Sequence, residues 1–116
     1  MSKEKRDPFL YVQDILDSIE RIEEYSSSLK WEEFRKNNLV IDAIVRNFEI
    51  IGEAVKHIPK TIRDRYPDIE WREAAGFRDV LIHEYFGIDT EALWDTIKTN
   101  IPSFKKKIMA ILQQGQ

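Results

Sequence analysis

The chain has 116 residues, a formal net charge of −3 and no cysteine. That length carries one hydrophobic core, so residues 1–116 read as a single domain. The lack of cysteine excludes a disulfide framework, a thiolate nucleophile and a cysteine metal site, and the mild acidity argues against a bulk nucleic-acid coat while leaving room for a local basic cleft.

No apolar run approaches a membrane span, and the opening MSKEKRDPF lacks the apolar centre of a signal peptide. A cytoplasmic protein without membrane contact is expected. Asp7-Pro8 opens the first helix, with an N-cap acceptor followed by a proline where no amide is missed. Val12, Ile15, Leu16, Ile19 and Ile22 form its apolar stripe to about Tyr25, and Ser26, Ser27 and Ser28 break it. Trp31 and Phe34 predict a short helical turn. A long helix follows from about Asn38 to His57, apolar at Val40, Ile41, Ile44, Val45, Phe48, Ile51 and Val55.

Asp42, Arg46, Glu49, Glu53 and His57 gather on the opposite face, interrupted by Ile50. Asp42 and Arg46 stand one turn apart, as do Glu53 and His57, so both pairs can bond along the surface. A solvated, salt-bridged face is the plain reading. The sharper one brings Glu53 or Asp42 to Arg78 across a helix interface. Gly52 favours close approach there, because a mid-helix glycine weakens a helix unless another backbone must come near.

Pro59 ends that helix, and Thr61 to Tyr66 make a short amphipathic turn closed by Pro67-Asp68. The next helix is expected from about Trp71 to Tyr85, stopped by Gly87. Asp89 or Thr90 caps the last one, where Leu93, Ile97, Ile101, Phe104, Ile108 and Ile111 keep spacings of three and four. Pro102 should kink it, and the tail from Gln113 should fray. No strand pattern appears. The expected fold is all-α, a bundle of four main helices plus short connecting ones.

The run from Gly76 to Gly87, GFRDVLIHEYFG, holds the chemistry. Projected at about 100° per residue, Trp71, Ala74, Ala75, Arg78, Ile82 and Tyr85 share one stripe. A guanidinium on such a stripe is costly unless it is paired or faces a wet cleft. His83, five residues on, turns about 140° away from Arg78 on a straight helix. Either the helix loosens near His83, or a second copy of the chain brings its own residues to the same cleft.

Two histidines without ligand spacing predict no metal site, and the isolated glycines predict no phosphate loop. Arg78 and His83 remain. An arginine and a histidine on a helix are often only structural. As chemistry, however, histidine moves protons near neutrality, and arginine matches a phosphate and stabilises charge building on phosphorus. Together they suffice for metal-free RNA cleavage by the ribose 2′-OH, which DNA lacks.

The string Arg78-Asp79-Val80-Leu81-Ile82-His83-Glu84-Tyr85 resembles the R-x4-H-x-Y pattern of the HEPN superfamily, and more closely the HepT toxins of HepT–MntA toxin–antitoxin systems. RDPFLYVQDILDSIERIEEY looks like the family's first helix, IDAIVRNFEIIGEAVKHIP like its second and YPDIEWREAAGFRDVLIHEYFGID like its signature segment. The resemblance implies a HEPN helical bundle, a homodimer with the motifs facing one cleft, and a metal-independent endoribonuclease without cofactor acting as a toxin. Arg78 and His83 are then the catalytic pair. Asp79, where many relatives carry asparagine, supports one of them. Tyr85 matches the tyrosine to which a nucleotidyltransferase antitoxin adds AMP. The rival is a non-catalytic HEPN module that only binds a nucleotidyltransferase or a nucleotide.

Overall fold

The computed structural model describes residues 6–77 and 89–114 in full, together with the backbone of 82–83, 87–88 and 115. Helix α1, Pro8–Ser26, starts where the Asp7 carboxylate accepts the Phe9 N–H at 2.9 Å, satisfying a donor that helix geometry leaves orphaned. It ends where the Ser26 hydroxyl donates back to the Ile22 carbonyl. Val12, Ile15, Ile19 and Ile22 are fully buried, as their spacing requires.

A short turn of helix, α2 (Trp31–Phe34), leads to α3 (Asn38–Lys56), whose first turn is capped by the Asn37 side chain accepting from Val40 N–H. α4 (Lys60–Arg65) and α5 (Trp71–Ala75) are brief. The loop between them is pinned by the Trp71 indole N–H donating to the Tyr66 carbonyl, and by Lys107 donating to the Asp68 carbonyl. The carboxylate of Asp89 caps α6 (Thr90–Asp95), which passes through a π-helical turn, Thr96–Asn100, into α7 (Ile101–Gly115). α1 lies along α3 and, on its other side, α7. Ile15, Ile19, Ile44, Phe48, Ile51, Ile101 and Ile108 fill the space between these three helices. The fold is all-α, and no helix among the described residues is long and apolar enough to cross a membrane.

Three expectations are corrected. The helix expected from Trp71 to Tyr85 stops at Ala75, where the Gly76 N–H closes its last turn on the Arg72 and Glu73 carbonyls. Glycine is a poor residue for helix continuation. Instead, Ile82–His83 (β1) and Gly87–Ile88 (β2) pair antiparallel, with Ile82 opposite Ile88 and His83 opposite Gly87. Ladder bonds thus stand at a place where no strand was expected, while 78–81 and 84–86, also within the expected helix, lie outside the described residues. At Pro102 the disturbance takes the form of the π turn just ahead of it, with the Ile101 N–H reaching the Thr96 carbonyl five residues back. Proline has no N–H for the Lys98 carbonyl, so the regular ladder cannot run through. The tail expected to fray stays helical to Gly115.

Candidate functional site

Gly52 sits buried in the middle of α3, where a Cβ would meet the Ala75 carbonyl oxygen at 3.0 Å. This is the close backbone approach that a mid-helix glycine signals, and it docks the end of α5 on α3. Two residues later, Phe77 inserts edge-on between Phe48 of α3 and Phe104 of α7, with ring centroids 5.3 Å and 5.9 Å away. The chain is therefore held at Ala75 and Phe77, immediately before Arg78.

Beside this junction lies a cleft of about 400 Å³ between α3 and the end of α5. Arg46, Glu49, Glu53 and Lys56 line it from α3, and Ala75 from the opposite wall. Glu53, named from sequence as a supporting carboxylate, is thus on the cleft. Its carboxylate also stands 3.4 Å from His57 Nε2, one turn on. Asp42, the other carboxylate weighed as a partner of Arg78, does not line the cleft. Nor does it form the expected pair with Arg46 among the described residues.

His57 serves the scaffold. Its ring stacks on Tyr11 of α1 at 4.8 Å and 13° between planes, and the Arg6 guanidinium also lies over the Tyr11 ring, 4.6 Å from its centroid and bonded to Asp14 at 2.6 Å. His83 belongs to β1, so the straight-helix projection that turned it away from Arg78 does not apply to it. Arg78, Asp79 and Tyr85 lie outside the described residues. Among those described, no group of three His, Asp or Glu residues is placed to hold a metal ion.

Sequence reasoning passed over Arg46, Glu49 and Lys56 as site residues. Their signal was present but unremarkable: 46, 49, 53 and 56 recur at helical spacing along the face that carries Gly52's neighbours.

A family model described as "Ribonuclease HepT-like" matches residues 15–111. A protein of Methanocaldococcus jannaschii provisionally named an RNase is 45% identical over 109 residues, covering 94% of this chain and 90% of its own. One from Thermococcus cleftensis, provisionally named ribonuclease HepT, is 46% identical over 97 residues, covering 84% and 88%. One from Caldanaerobacter subterraneus, again provisionally an RNase, is 42% identical over 107 residues, covering 92% and 96%. No solved structure gives a significant match.

Proposed function

We infer the function from one premise: this chain belongs to the ribonuclease HepT-like family. It is an endoribonuclease. The observation that carries this reading is a family match running through the whole R-x4-H segment, with a charged cleft lined by Ala75 just ahead of it in the chain. The finer reading is a toxin that cuts RNA without a metal, as a homodimer, and is silenced by a nucleotidyltransferase antitoxin.

In this mechanism the Arg78 guanidinium grips the scissile phosphate and stabilises its growing negative charge. His83 accepts the 2′-OH proton as that oxygen bonds to phosphorus. The bond from phosphorus to the 5′ oxygen breaks, leaving a 2′,3′-cyclic phosphate, and the 5′ oxygen takes up a proton. Glu53 lines the cleft whose other wall, Ala75, comes three residues before Arg78 in the chain, and it would orient the guanidinium by exchanging its 3.4 Å contact with His57 for one with Arg78. Asp79 supports the pair from within the motif. The antitoxin transfers AMP from ATP to the Tyr85 hydroxyl with loss of pyrophosphate, placing an anion two residues from His83.

The test is incubation of the pure protein with RNA in excess chelator. Cleavage is expected to persist. Arg78→Ala and His83→Ala should each lower the rate by a factor of about 10² or more while circular dichroism stays unchanged. Cleavage that survives either substitution, or that needs a divalent ion, overturns the mechanism. A folded parent that leaves all RNA intact would be the binding module instead.

A further inference from the structure

The cleft beside α5 is lined by two carboxylates and two cations, and they are not equally committed. Glu53 is engaged with His57 at 3.4 Å, and Glu49 also has an interaction partner. Arg46 and Lys56 are exposed and form no ion pair among the described residues. With His57 neutral the four charged side chains sum to zero, and Arg46 and Lys56 are the two of them without an ion pair among the described residues, in a chain whose net charge is −3.

The two cations are ten residues apart on one rigid helix, about 15 Å along its axis. That spread suits successive phosphates of a strand crossing the cleft better than a single small anion. The opposite wall is Ala75, held by its contact with Gly52, and Arg78 follows three residues later in the chain.

We propose that Arg46 and Lys56 hold the phosphate backbone of single-stranded RNA along the cleft. This rests on the ribonuclease reading and adds to it two positioning residues that do not touch the reacting atoms. Contacts of this kind are independent of sequence, steer the strand and make affinity fall with salt.

The experiment measures binding of a fluorescent single-stranded RNA across a salt series, in a His83→Ala background so that nothing is cleaved. On a single strand, each phosphate that the protein no longer neutralises flattens the logarithmic salt slope by about 0.7, so Arg46→Ala with Lys56→Ala should flatten it by about 1.4. Binding at low salt should weaken about tenfold or more. The pair Arg46→Lys with Lys56→Arg keeps both charges and should keep the slope. Arg21→Ala with Lys36→Ala removes two exposed charges outside the cleft and should also leave it unchanged. With His83 intact, the Arg46/Lys56 alanine variant should raise KM and leave kcat nearly unchanged.

An unchanged slope in that variant overturns the proposal while leaving the ribonuclease reading standing. So does an equal change in the Arg21/Lys36 control. Loss of binding accompanied by dissociation of an oligomer in sedimentation would assign the cleft to a protein interface instead. A parent that neither binds nor cuts RNA removes the function itself, and the proposal with it.

Discussion

At the scale of single residues, two positions next to the motif make opposite demands on the chemist. Gly52 is there for what it lacks. An exposed mid-helix glycine gains about 1 kcal/mol on replacement by alanine, but here the new methyl would press a backbone carbonyl at 3.0 Å. Gly52→Ala is therefore expected to lower the urea midpoint, and a raised midpoint would show that α5 does not dock as described. Tyr85 is there for its hydroxyl. Tyr85→Phe keeps the ring and removes the acceptor of AMP, so the variant should go on cutting RNA, gain no AMP from the antitoxin and ATP by intact mass, and escape silencing. Adenylylation of the Phe variant at the parent's level would move the switch to another residue. Gly52 was legible in the sequence because a costly residue kept inside a helix needs a reason. The Glu53–His57 distance was not, because spacing on a helix only permits the pair, and only the fold sets it at 3.4 Å.

At the scale of elements, the long helices follow from apolar residues recurring every three or four positions between residues that cap and break. α1 and α3 begin and end within a residue or so of where that pattern puts them. The last helix is tied to the first by Lys105, whose ammonium donates to Glu23 at 2.8 Å with both side chains about a third exposed. That hydrogen bond, against a smaller opposing effect of burial, raises the Lys105 pKa. A raised folded pKa means the contribution is complete below the ordinary lysine value and disappears as pH climbs through the raised one. Stability should therefore show a loss on the alkaline side, setting in above the ordinary lysine pKa of about 10.4, that Lys105→Met lacks. For a pair this exposed the difference should stay below about 1 kcal/mol. Urea titrations of both proteins across that range measure it, and identical alkaline profiles would count against the pair.

At the scale of the whole molecule, the angular mismatch that argued for a second copy lapses because His83 stands in a strand, and a homodimer must be argued on other ground. Leu39 is 81% exposed at the start of α3, next to half-buried Val40, an apolar end that a partner copy would cover. Sedimentation at micromolar concentration should give a dimer, and Leu39→Glu should weaken it. A monomer under those conditions would require one chain to supply the entire site. The sequence by itself determined the all-α class, the extents of α1 and α3, the Asp7 cap and the close approach at Gly52, and it narrowed the later cap to Asp89 or Thr90, because each is a local property of spacing, side-chain chemistry or backbone entropy. Tertiary structure alone decided that the helix before the motif ends at Ala75, that 82–83 pair with 87–88, and that Arg46, Glu53 and Lys56 face Ala75 across one cleft. Those outcomes depend on which distant backbone or side chain arrives as a partner, and helical periodicity carries no information about that.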